Sequence, residues 1–328
     1  MADPILYLAC AVVTLAGVPG MVLYTGGTWS KLTPDVALLS ALWLGVGVVS
    51  GLTGALPGGF AVLVPVLGLV VGTGVAAALA ERMEELRLRA TLLAGFSLLI
   101  FLPLALVVFG GGGTWLYREV GSLDFAGALP AAIGAGGFLT VVALVSGTSA
   151  VGERVLALRG AMLVAVAALA CAVGLELRLD ELTPAIALHM LMTPAIAILA
   201  AAGIERVKRG RNTREGLGAG TLAGTAAALA TSAYLETVSA LILGLLAGAV
   251  AEAAFRGASA AWRLATPLLI GGITGMLFLG IFGLDVGFVY SGQPALLAHQ
   301  ALVVGVSLLF AGIVSLLLVL PLRGRLRR

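Results

Sequence analysis

Charge is what this chain has least of. Only 11% of its 328 residues are charged, against about 25% in soluble domains, and 60% are hydrophobic. That balance excludes a soluble globular fold. Cysteine is nearly absent: Cys10 and Cys171 both fall in apolar runs, where a thiol behaves as a small buried hydrophobe. Neither a disulfide nor a metal site is expected. There are two histidines, no Ser/His/Asp set at plausible depth and no nucleotide loop, so nothing points to an enzyme or to a bound cofactor. The net charge of +3 could suggest nucleic acid, but the basic residues are scattered between apolar segments and not gathered on one soluble domain. A basic leader is missing as well. The start MADPILYLAC predicts a retained first helix and no cleaved signal peptide.

What is present is glycine, at 46 copies, and long apolar runs. Small residues let helices approach closely in lipid, which supplies no hydrophobic drive for their association. The runs are about twice as long as the strands of a membrane barrel, so the spans are helices. They lie near residues 5–24, 34–56, 58–80, 91–109, 124–147, 160–177, 183–204, 217–233, 237–255, 266–282 and 295–320. The reading is an all-α polytopic membrane protein with eleven transmembrane helices.

Basic residues test that reading. With the first helix running inward, Lys31, Arg82, Arg87, Arg89, Arg154, Arg159, Arg206, Lys208, Arg209, Arg211, Arg214, Arg256, Arg263, Arg323, Arg325, Arg327 and Arg328 fall inside, and only Arg118 and Arg178 outside. The N terminus is therefore expected outside and the C terminus in the cytoplasm. An odd-numbered repeat predicts inverted halves, with a path at their interface. Residues 1–150 form the first five-helix repeat, 159–282 the second, and 295–320 the eleventh helix.

Polar chemistry concentrates in FGGGGTWLYREVGSLDFAGALPAAIGAG, residues 109–136. It reads as an outer vestibule leading into a pore helix. Asp124 stands where a helix begins, and its carboxyl can accept from the first free amides; negative potential for a cation is its other reading. A phosphate loop is discarded, since no Lys-Ser/Thr follows the glycines. Trp115 and Tyr117 read as an interfacial anchor, or as aromatics extending a cation-attracting vestibule with Phe109. His189 lies within the seventh helix, as an imidazole bonded between helices or as a transport residue. His299 reads as interfacial. Glu252 is expected to pair with Arg256 at i,i+4, and ERVKRGRNTRE, residues 205–215, reads as a positive-inside determinant touching anionic lipid.

Four stretches, in order along nearly the whole chain, resemble the ammonium transporter, methylammonium permease and Rhesus family. They are PGMVLYTGG at residues 19–27, AERM at 80–83, FGGGG with SLDFAG at 109–113 and 122–127, and GGITGMLFLGIF at 271–282. The resemblance implies the ammonium-transporter fold, a protomer of eleven helices in a homotrimer, and a narrow apolar pore through each protomer for ammonium or ammonia. Such a pore recruits the ion at an aromatic vestibule and removes its proton, using a pair of phenylalanines and two neighbouring histidines.

This sequence departs from that pattern. The two pore histidines fall on Ala132 and Leu268, the phenylalanine pair on Leu67 and Cys171, and the recruiting hydroxyl on Leu175. The outer aromatic persists as Phe109. The expected function is passage of ammonia, or another small neutral molecule, through a wholly apolar pore. The alternative is a non-conducting protein of the same fold, acting as a sensor or an assembly subunit. The implied partners are membrane lipid and two further copies of the chain. A cytoplasmic nitrogen-regulatory protein, which the family engages through a longer tail, is argued against by the ending PLRGRLRR.

Overall fold

The computed structural model describes residues 3–113, 115–147, 156–255 and 259–326, so Arg154, Arg256, Arg327 and Arg328 lie outside the described residues. Ten of the described helices are long and apolar enough to cross a membrane. They are α1 (Pro4–Thr25), α2 (Trp29–Thr53), α3 (Phe60–Ala80), α4 (Leu86–Gly111), α5 (Leu129–Ser146), α6 (Ala157–Leu175), α7 (Thr183–Arg209), α9 (Thr237–Ala254), α10 (Ala260–Phe282) and α11 (Ala295–Val319). The protein is an integral membrane protein of the expected fold class.

An eleventh helix, α8 (Arg214–Thr231), is too poor in large apolar residues to join those ten. Its sequence REGLGAGTLAGTAAALAT is built from Gly, Ala and Thr, and almost every residue from Gly216 onward is buried. It packs against α6, α7, α9 and α10. A helix enclosed by other helices needs small residues for close packing more than it needs lipophilicity.

Several helices begin earlier than their apolar runs: α2 at Trp29, α4 at Leu86, α10 at Ala260. Hydropathy marks the hydrocarbon-depth part of a helix, whereas the helix itself continues until a cap ends it. Ser259 supplies such a cap, its hydroxyl accepting from Trp262 N at 3.3 Å, and Thr213 does the same for Gly216 N at 3.1 Å. The fifth helix departs the other way. Asp124 to Gly127 form a turn ahead of it, and the helical backbone starts only at Ala128.

Close approach of backbones holds the bundle together. A Cβ added at Gly275 of α10 would meet the Ala227 carbonyl oxygen of α8 at 2.5 Å and its Cα at 2.7 Å. Neither can yield as a flexible side chain could. Gly275→Leu should therefore destabilise the protein by about 3 kcal/mol or more, at or above the upper end for overpacked cores. Thermal unfolding in detergent reads this directly, and an unchanged midpoint would contradict the packing.

The membrane face that carries Arg209 is tied by buried ion pairs. Arg89 on α4 reaches Asp35 on α2 at 3.0 Å and donates to the Met83 and Glu84 carbonyls. Glu205 accepts from Thr213 N at 2.8 Å and from its hydroxyl at 2.5 Å, fixing the α7–α8 turn. Arg263 pairs with Glu215 at 2.6 Å, and Tyr24 donates to the Arg263 carbonyl at 2.9 Å. The expected partner of Glu252, Arg256, lies outside the described residues. Among the described residues Arg209 of α7 approaches Glu252 at 3.5 Å, a contact between helices.

Candidate functional site: a buried apolar path beneath a capped turn

Helices α1, α3, α5, α6, α8 and α10 surround a void of about 40 Å³. Thr14 and Met21 reach it from α1, Leu67, Val70 and Val71 from α3, Ala131 from α5, and Val164, Ala167 and Ala168 from α6. Leu222, Thr225, Ala226 and Leu229 of α8 and Leu268 of α10 complete it. At ~10–15 Å³ for each water-sized molecule, there is room for about three. Its two hydroxyls are engaged within their own helices: Thr14 donates to the Cys10 carbonyl at 2.7 Å and Thr225 to that of Thr221 at 2.8 Å. Every other side chain in the lining is hydrocarbon or thioether.

The structure brings only some of the expected pore positions to this void. Leu67 and Leu268 line it. Ala132 is fully buried but packs toward α10, where a Cβ on Gly272 would meet its own Cβ at 2.9 Å. Its neighbour Ala131 faces the void instead. The backbone explains the offset, because residues Leu129–Gly134 form a π-helical turn. Such turns insert a residue into the helical register and recur at functional sites. Cys171 and Leu175 are buried farther along the α6 face that carries Ala168, toward the Asp124 side.

Above the void sits the Asp124 turn. The carboxyl of Asp124 accepts from the backbone N–H of Gly127 at 3.1 Å, Ala128 at 2.8 Å and Leu129 at 2.7 Å. It closes the loop that starts α5. Burial pushes this carboxyl up to about 6, against the lowering effect of those three donors. Gly127 has φ +83°, and its α-carbon lies under the ring of Phe109, which an added Cβ would meet at 3.0 Å. Any side chain there would suffer both strain and collision.

Phe109 itself is 2% exposed and lies against Phe60, with ring centroids 5.5 Å apart. Its ring is a packed element of the turn and not an open vestibule surface. Trp115 and Tyr117 are the exposed aromatics nearby, at 45% and 55%. The turn is also stitched to α8: Phe125 N donates to the Ala230 carbonyl at 3.3 Å and Ala126 N to that of Leu229 at 2.8 Å. Phe125 meets Tyr234 edge to face at 6.2 Å. The Tyr234 hydroxyl is pushed up by burial, with the charge of Asp124 adding to the effect.

His189 does not reach the void. Its Nδ1 lies 2.8 Å from the Ser232 carbonyl and its Nε2 3.3 Å from the Thr237 hydroxyl, so the imidazole joins α7 to the α8–α9 connection. The α8 residues of the lining escaped the sequence reading. Leu222, Thr225, Ala226 and Leu229 stand at i, i+3, i+4 and i+7, which is a visible helical stripe. In a helix made almost wholly of small residues no contrast marks one face as special.

The profile of the Ammonium Transporter Family matches residues 70–324. No curated protein matches the chain by sequence. Among solved structures, Mep2 of Saccharomyces cerevisiae superposes with a TM-score of 0.84 at 18% identity, over 98% of this chain and 86% of that one. Mep2 of Candida albicans does so at 0.84 and 15%, over 98% and 84%. A structure described as a Sensor Amt Protein gives 0.82 and 21%, over 98% and 92%. At these identities the superpositions speak for the fold, and the profile match, over most of the sequence, for kinship. The chain belongs to the Ammonium Transporter Family.

Proposed function

We propose that this protein passes ammonia, or another small neutral molecule, across the membrane through the apolar path between its helices. The single observation that supports it most is the void of about 40 Å³, lined by hydrocarbon where the family resemblance implies proton-accepting groups. A neutral molecule crosses such a region at modest cost. A bare cation does not, because no group there replaces its water. Leu67 and Leu268, with Ala131 in place of Ala132, are assigned to the walls of the path, and Cys171 and Leu175 to its stretch toward the Asp124 side, with Asp124 and Phe109 shaping its mouth. The mouth faces outward and the Arg209 side faces the cytoplasm, in a cell membrane and in homotrimeric assembly as the resemblance implies.

The experiment is an ammonium gradient across proteoliposomes with an internal pH dye. Faster pH change than in empty vesicles is expected, and equal rates would sink the proposal. Leu268→Trp puts an indole into a void of about 40 Å³ and should bring the rate down to that of empty vesicles; an undiminished rate would place the path elsewhere.

A second reading has its own supporting observation. The void is small, large side chains such as Met21, Leu67 and Leu268 border it, and a Sensor Amt Protein shares the fold. On that reading the chain is a non-conducting sensor or an assembly subunit, and the vesicle experiment separates the two.

A further inference from the structure

Two cavities on the Asp124 side of the molecule lie one after the other along α11. The first, about 600 Å³, is lined by Arg118, Asp285, Ser291, Gln293 and His299 among others. The second, about 350 Å³, is lined by Leu104, Val107, Trp115, Leu302, Val306 and Phe310 among others. They share two walls. One is the turn that carries Trp115 through Gly121, and the other is a single stripe of α11, whose residues 295, 299, 302, 306 and 310 recur every three or four positions.

Along that stripe the chemistry changes once. Beside Ala295 to His299 the facing side chains Arg118, Asp285, Ser291 and Gln293 are polar, and from Leu302 to Phe310 the lining is hydrocarbon but for Ser307. His299 to Phe310 spans roughly 16 Å at 1.5 Å per residue, about half of the ~30 Å hydrocarbon core and hence one leaflet. Trp115 and Tyr117, at the junction, are 45% and 55% exposed, as aromatics at a headgroup boundary are.

The polar end carries both signs of charge. Among the described residues Arg118, Asp285 and His299 form no ion pair. Gly121, at φ +72°, leaves room for the imidazole: a Cβ there would stand 2.7 Å from His299 Nδ1. Arg118 and His299 suit a phosphate, and Asp285 suits an ammonium with N–H donors.

We propose that the two cavities form one groove that holds one phospholipid with a primary ammonium headgroup. Its phosphate lies against Arg118 and His299, its ammonium against Asp285, and one acyl chain runs along α11 from Leu302 to Phe310.

Native mass spectrometry of the full chain in detergent tests this with phosphatidylethanolamine, phosphatidylcholine and phosphatidylglycerol of identical acyl chains. Phosphatidylethanolamine adducts should exceed the other two several-fold. Asp285→Asn, which keeps the left-handed backbone that asparagine tolerates, should remove the preference over phosphatidylcholine. Arg118→Gln should weaken all three, and Val306→Trp, on an exposed groove wall, should displace the chain and abolish the adducts. Melting curves confirm that each variant is folded. Equal retention of the three lipids, a preference for phosphatidylglycerol, or stabilisation by glycerophosphoethanolamine as large as that by the lipid would each overturn the proposal.

Discussion

On a solid-supported membrane, proteoliposomes carrying this protein will give no sustained ammonium-driven current, while their internal pH shifts faster than that of empty vesicles. Ammonium has two ways to cross as a charge. Either the intact ion traverses the void, or its proton leaves and follows by another route. The first route meets Leu67, Val70, Leu222 and Leu268, and desolvating an unpaired cation there would cost several kcal/mol or more. That cost corresponds to a rate loss of several orders of magnitude. The second needs an acceptor in the path. The hydroxyls of Thr14 and Thr225 are directed to their own helix carbonyls, and the imidazole of His189 is held by Ser232 and Thr237. Electroneutral flux is therefore the expected outcome. A sustained current that survives His189→Ala would refute an electroneutral path, and a current that disappears in that variant would identify His189 as a proton carrier.

Removing the carboxyl of Asp124 is expected to be the most damaging single change to the mouth of the path. Asp124→Ala leaves the buried amides of Gly127, Ala128 and Leu129 without their acceptor. At about 1–3 kcal/mol for each unsatisfied group, the loss should reach about 3 kcal/mol or more and lower the thermal midpoint by several degrees. Asp124→Asn should fall between. Its single oxygen can still accept from Gly127 and Ala128, the pair that shares Oδ1, while an amide N–H₂ would face Leu129.

The same carboxyl gives a pH dependence. It is raised from 3.8 to about 6, so the folded chain binds its proton more tightly than the unfolded one. Its contribution to stability is therefore largest below 3.8 and declines as pH rises through about 6. Melting midpoints across that window should show the decline in the parent and lose it in Asp124→Asn. Equal midpoints for the parent and Asp124→Ala at every pH would remove Asp124 from its role as the cap.

The sequence by itself determined the class and the kinship, and its eleven spans roughly match the ten apolar helices and α8 of the described residues. Low charge and apolar runs of membrane-spanning length leave no other class open, and four short motifs in order carried the family. The cap at Asp124 was legible too, because a helix start needs an acceptor and an aspartate stood there. The tertiary structure alone decided which residues face the void. Counting from the Asp-Phe-Ala-Gly motif leads to Ala132, but a π turn over Leu129–Gly134 brings Ala131 to the void, and no side-chain pattern announces where a helix takes an extra residue into one turn. Phe109 was visible as an aromatic at the right place, yet its burial against Phe60 depends on a residue far away in sequence. The stripe on α8 was hidden for a related reason. Where every face of a helix is small and apolar, periodicity carries no contrast, and only the neighbours that pack around it assign one face to the void.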